Sequence, residues 1–279
     1  MSFPLFDYSD SDITLRATPG GQPAQKLSEA IDFRVHRWIL SLSSTFFEGL
    51  LSIPQPPSPI DHGTPVIPFT ESPTTLSALL SYIYPVREPT FASLDELVPV
   101  LEAVHKYDVT VAIIRLRAAL VSPDFLAQSP LRVYGIASHY ELHEEAKVAS
   151  TATLAMGLNT QPLHEDLKTT TAYAYHALLL LHQRRAAAAI ALLVLPDEIR
   201  CMHCSQRNHD VPPRWWAPFR AAAVEELRAR PVSAVVVSMS FLQRAAQKAG
   251  CERCAASILA SAWWFEQLAQ RIDALPATV

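Results

Sequence analysis

Glycine is scarce in this sequence, at 7 of 279 residues. That argues against folds built on glycine-rich phosphate loops, and no Gly-x4-Gly-Lys or paired-glycine dinucleotide motif is present. The nucleophile elbow Gly-x-Ser-x-Gly is also missing, so the common hydrolase signature is excluded. Long apolar runs are absent. The longest, 186–195, is half of the roughly 20 residues that a bilayer span needs. The start, Met1-Ser2-Phe3-Pro4, has no basic region, and the first basic residue is Arg16. Excess charge is lacking too. A net charge of -4 gives no global field that would draw nucleic acid. The expectation is an intracellular protein, cytoplasmic or nuclear, without nucleic-acid or membrane partners.

What is present is enough apolar material for a sizeable core, 49% against 18% charged. Proline is plentiful, at 22, and falls between apolar runs as punctuation. The charge is uneven. Residues 1–157 hold 10 basic against 17 acidic residues, and 158–279 hold 13 against 10. That shift supports a boundary near 158, with the basic half read as an ordinary solvated surface.

Asp12-Ile13-Thr14-Leu15-Arg16 and Ile31-Asp32-Phe33-Arg34-Val35 alternate with period two, which predicts two half-buried strands paired as a hairpin. Residues 36–51 turn helical but break at Ser43-Ser44, predicting two short helices. Five prolines make 54–65 a loop, and Val66-Ile67-Pro68-Phe69 reads as an edge strand. Ser72-Pro73 starts a helix whose Leu76, Leu79, Leu80 and Ile83 share one face. Ser93-Leu94-Asp95-Glu96 has the form of a capping box. Pro99 interrupts the pattern behind it, so the helix is either kinked there or begins later than the box. Further helices follow to about 157. The remainder reads as helical near 164–195, 213–229, 233–249 and 252–273. Val235-Val236-Val237 weakens the third of these, because β-branched residues favour strands.

The stretch from Asp32 through His36, Arg37, Trp38, Ile39 and Leu40 to Phe46-Phe47 resembles the core signature of BTB/POZ domains. Asp12-Ile13-Thr14-Leu15 is similar to the preceding family strand, and Leu79-Leu80-Ser81-Tyr82-Ile83-Tyr84 to a later family helix. The fuller pattern, with Tyr84-Pro85, Leu94-Asp95-Glu96-Leu97 and Leu120-Val121-Ser122-Pro123, is similar to BTB proteins found in many copies in mushroom-forming fungi. The resemblance covers roughly 7–121 and implies little about 158–279. It implies an α+β fold, a small sheet with helices, followed by an all-α region. The domains expected are 1–121 as BTB/POZ, 122–157 as a helical extension and 158–279 as an all-α C-terminal region.

It also implies a dimer groove near Asp12 and His36, with Trp38, Ile39 and Leu42 as the apolar patch that a two-fold interface buries. His36 reads equally well as a satisfied histidine at a strand-to-helix junction. The function implied is a non-catalytic dimerisation and protein-interaction adaptor, its partners being its own copy and other proteins. A cullin-type ubiquitin-ligase adaptor or a transcriptional regulator is an alternative, and a metal-dependent enzyme in the helical region is the rival class.

Cys201, Cys204, Cys251 and Cys254 are all the cysteines in the chain, arranged as two C-x-x-C pairs. Four thiolates suit a structural tetrahedral zinc and would leave no open position for a substrate. The 46 residues between the pairs exceed a short zinc-ribbon spacing. Arms of 17 residues each, 213–229 and 233–249, would run about 25 Å out and back as a helical hairpin turning at Arg230-Pro231. His203 and His209 are reserve ligands, and four partly buried thiols are the competing account. His139 and His143 are four apart, which suits either a shared metal or a solvated face. Trp215-Trp216 and Trp263-Trp264-Phe265 suit either the core or a partner anchor.

Overall fold

The computed structural model describes residues 4–18, 30–53, 64–200 and 211–279. They form two compact units, 1–125 and 126–279. The fold is α+β in the first unit and all-α in the second.

In the first unit β1 (Ile13–Ala17) pairs antiparallel with β2 (Ile31–Val35) and parallel with β3 (Val66–Phe69), giving the order β2-β1-β3. β1 is therefore central, and Pro68 sits on an edge strand as its missing N–H requires. Ile13, Leu15, Phe33 and Val35 are buried, as the alternation requires, but Thr14 is buried too, so the central strand β1 is covered on both faces rather than half-buried. The helix pair is α1 (Arg37–Ser43) and α2 (Thr45–Ser52), divided at Ser44. The Ser44 hydroxyl accepts the N–H of Phe47 at 3.1 Å, capping α2, and donates to the carbonyl of Tyr107. α3 (Pro73–Ile83) starts at Ser72, whose Oγ accepts the Thr75 N–H.

α4 (Leu94–Lys106) begins where the capping box puts it and runs through Pro99. Ser93 Oγ accepts the Glu96 N–H at 3.3 Å, and the Glu96 carboxylate reaches back to the Ala92 N–H at 2.9 Å. The two caps and the buried face of Leu94, Leu97, Val100, Leu101 and Val104 outweigh the one helix bond that Pro99 cannot make. α5 (Thr110–Leu120) and α6 (Pro123–Gln128) follow.

The second unit holds α7 (Pro130–His139), α8 (His143–Thr153), α9 (Ala172–Ala191), α10 (Trp216–Ala229), α11 (Ala234–Val237), α12 (Met239–Lys248), α13 (Glu252–Ala260) and α14 (Ala262–Asp273). The predicted 233–249 arm is broken. The β-branched run ends α11 at Val237, and Ser238 caps a new helix by accepting the Phe241 N–H. The predicted 252–273 helix is also divided, at buried Ser261, whose hydroxyl bonds back to the Ser257 carbonyl. Gly250, at φ +60°, ends the α12 segment in the left-handed conformation that glycine adopts without strain. Gly135 in α7 lets 166–170 approach: a Cβ there would lie 2.9 Å from Thr170 Oγ1. Among the described residues no helix is long and apolar enough to cross a membrane.

Candidate interaction surface and metal site

The β2–α1 junction is tied by His36 and Asp12. The Tyr84 hydroxyl accepts the His36 backbone N–H at 2.8 Å and lies 3.2 Å from His36 Nδ1. His36 Nε2 lies 3.2 Å from the Asp10 carboxylate, and its hydrogen bond holds Asp10 below the usual aspartate value. Tyr8 stacks on Tyr84 at 5.4 Å between ring centroids, and burial pushes the Tyr84 phenol up to about 12. Asp12 Oδ1 accepts the Arg37 N–H at 2.8 Å, satisfying a donor that the first turn of α1 leaves open. Both ring nitrogens of His36 and the Asp12 carboxylate thus have partners inside the domain. Their local effect is to set the direction of α1.

That direction decides which side chains of α1 meet solvent. Leu40 is fully buried, while Trp38 and Leu42 are 70% and 68% exposed, and Ile39 is half-buried. Trp38 and Leu42 are four apart and share one face. On α2 and just past its end, Phe46 and Ile53 are exposed as well. The sequence reading passed over these two. Phe46 and Phe47 leave α2 about 100° apart, and only Phe47 is fully buried. A tryptophan and a leucine held out in water on a short, firmly capped helix form a surface that a partner can cover.

Residues 25–122 match the BTB/POZ domain family. The chain therefore carries a BTB domain, a protein-interaction module, and a helical region follows it. A search of curated proteins finds no match to the chain.

Outside the BTB domain, the second cysteine pair sits where α12 gives way to α13. Cys251 is the N-cap residue of α13 and is half-buried. Cys254 is fully buried, and its Sγ accepts the Arg214 N–H at 3.4 Å. Cys201, Cys204, His203 and His209 lie outside the described residues. Among the described residues no group of three His, Cys, Asp or Glu is placed to hold a metal ion. His139 and His143 do not share a helix, because α7 ends at the first and α8 begins at the second. The hairpin does not have equal helical arms, yet the chain still returns: Phe219 in α10 and Phe241 in α12 have ring centroids 5.6 Å apart.

The paired aromatics divide. Trp215, Trp264 and Phe265 are buried in one cluster with Phe219, while Trp263 stays 43% exposed. Trp215 Nε1 donates to Ser257 at 3.0 Å, which satisfies its only polar group.

Proposed function

We propose that the chain is a non-catalytic adaptor that self-associates through its BTB domain and brings other proteins together. The observation that carries this reading is the outward face of α1, where Trp38 and Leu42 are exposed on a helix whose Leu40 is fully buried. A self-complementary interface would bury that face against its own copy. The match of residues 25–122 to the BTB/POZ family supports a role of this kind. Recruitment to a cullin-type ubiquitin ligase or to transcriptional machinery is consistent with it. Light scattering on the full chain at tens of micromolar is the test. A dimer that Trp38→Glu converts to monomer, with the melting temperature unchanged, supports the reading. A wild-type chain that is strictly monomeric overturns it.

A structural zinc held by Cys201, Cys204, Cys251 and Cys254 is the second part of the proposal. The hydrogen bond that Cys254 Sγ accepts from Arg214 supports it, since Arg214 is ten residues along the chain from Cys204. Backbone N–H donors of this kind commonly surround metal-bound thiolates. Elemental analysis of the purified chain should find about one zinc per chain, as one tetrahedral four-thiolate site requires. Cys251→Ser should remove it. Metal-free protein with an unchanged melting temperature on chelation would show the cysteines to be core thiols.

A further inference from the structure

Gly250, in its left-handed conformation, turns the chain out of α12 and sets Cys251 at the head of α13. The Ala255 N–H donates to the Cys251 carbonyl at 2.9 Å, so Cys251 and Cys254 lie within one closed turn. Such a turn keeps its first and fourth α-carbons within about 7 Å, which is the reach of a disulfide. Cys251 is extended, at φ -150° and ψ 118°. An N-cap residue in that conformation folds its side chain back over the third helical residue. Ser44 and Ser93 do so in this chain, at φ -158° and -145°. Their hydroxyls lie 3.1 and 3.3 Å from the backbone nitrogens of Phe47 and Glu96. The same relation aims the Cys251 side chain at Cys254.

The two thiols are placed differently. Cys254 is fully buried, and its Sγ accepts the Arg214 N–H at 3.4 Å. Cys251 is half-buried, so a small oxidant reaches it first. The open end of a helix favours an anion, and the thiolate is the reacting form of cysteine. One accessible thiolate with a second thiol in the turn behind it is the arrangement of an attacking and a resolving cysteine. We infer that Cys251 and Cys254 form a peroxide-reactive dithiol that closes reversibly to a disulfide. The Cys251 thiolate attacks one oxygen of hydrogen peroxide, giving the sulfenic acid and a hydroxide. The Cys254 thiolate then attacks the Cys251 sulfur, the S–S bond forms, and a second hydroxide leaves. Two thiolates lose two electrons in all, and one peroxide gains them. A small dithiol reductant reverses the change by exchange. The inference goes beyond the zinc reading, because it uses only the pair on α13 and needs no metal.

Peptide mapping of the full chain tests it, after brief treatment with hydrogen peroxide and alkylation of the remaining thiols. Trypsin cuts after Lys248, Arg253 and Arg271, which separates the two cysteines into peptides 249–253 and 254–271. The expected product is these two peptides joined by a disulfide, and it should disappear after dithiothreitol. In Cys254→Ser the sulfenic acid at Cys251 should persist and be trapped by dimedone. In Cys251→Ser the Cys254 thiol should stay reduced. Wild-type Cys251 that stays reduced, oxidises without forming the link, or joins Cys201 or Cys204 instead would overturn the inference. Zinc is measured on the same sample before oxidation. A metal-free chain that forms the link fails the zinc reading alone, and a zinc-bound chain that never forms it fails this inference alone.

Discussion

The two units solve the same hydrogen-bonding problem by different means. In the first, the sheet and the helix caps satisfy the backbone, and the interior is left to Phe, Leu, Val and Tyr, with Thr14, Ser44, Thr75 and Ser81 as its buried polar side chains. In the second, the described residues include a short irregular strap after α14, and buried side chains must supply its partners. His182 and Arg185 are both buried there, together with Ser150, Thr153, Ser233 and Ser261. A helical unit that packs non-helical backbone against itself needs interior donors, and interior donors make it sensitive to single substitutions and to acid.

The largest expected break comes at Arg185. Replacement by Leu removes donors to four carbonyls and leaves buried acceptors without partners, at a cost of roughly 3–5 kcal/mol. Amide exchange should accelerate throughout 126–279 and remain near wild type in the BTB domain. Arg185→Lys should recover little, because one ammonium cannot reproduce the planar fork of a guanidinium. Equal loosening of both units would show that the strap is not a local device.

Acid should separate the units next. His182 is buried between α8 and α9, with Nε2 3.0 Å from the Thr153 hydroxyl. That hydroxyl donates to the Ser150 carbonyl, so it accepts from a neutral imidazole N–H. Burial pushes the imidazole from 6.5 down to about 4. The unfolded chain therefore takes up a proton that the folded chain refuses. The stabilisation is complete above pH 6.5, declines as pH falls, and is gone below about 4, at most about 3 kcal/mol in all. His182→Gln keeps a donor for Thr153 and should flatten this limb in thermal melts recorded from pH 7 to 4. A wild-type limb that persists in the variant would assign the acid sensitivity elsewhere.

In the BTB domain the comparable single loss is smaller. Ser44→Ala removes the cap of α2 and the donor to the Tyr107 carbonyl, and should cost about 2 kcal/mol in denaturant melts. A loss below half of that would mean water replaces the serine at both ends.

Legibility in the sequence follows the same division. Period-two strands, the Ser44 break, the Ser72-Pro73 start and the Ser93 capping box are local signals, and each corresponds to an element found in the fold. Pro99 was read as a kink or a late start because its cost is local, whereas the buried face that overrides it is a property of the packed domain. In the second unit the helical composition was clear but the interruptions at Ser238 and Ser261 were not. A serine inside an alanine-rich run does not announce whether it caps, bends or simply faces water. Arg185 was invisible for a related reason: its role exists only once 231, 272, 275 and 276 converge on it. At the candidate interface, Trp38 and Leu42 were legible as apolar residues at helical spacing. Their place on the surface was expected only through the family resemblance, since it depends on the junction that Asp12, His36 and Tyr84 tie together.

The finest distinction between the units lies at Glu71. Its carboxylate accepts from Lys106 Nζ at 2.7 Å and from the Tyr107 hydroxyl. Burial alone would raise its pKa, but the bonds from Lys106 and Tyr107 together outweigh burial and hold it below the ordinary value of 4.5. A carboxylate depressed in the folded state stabilises above its unfolded value, and the benefit disappears as pH falls through the folded one. The BTB domain should therefore keep this contribution down to about pH 4.5, below most of the interval in which His182 weakens the second unit. Glu71→Gln should cost about 1 kcal/mol at neutral pH, the scale of a hydrogen bond to a charged group in a half-screened site. Below pH 4.5 the difference between wild type and variant should shrink as acid is added, because protonated glutamate offers Lys106 no charge. A constant difference from pH 7 to pH 3 would mean that Glu71 contributes by packing, and that acid does not act on the BTB domain through this group.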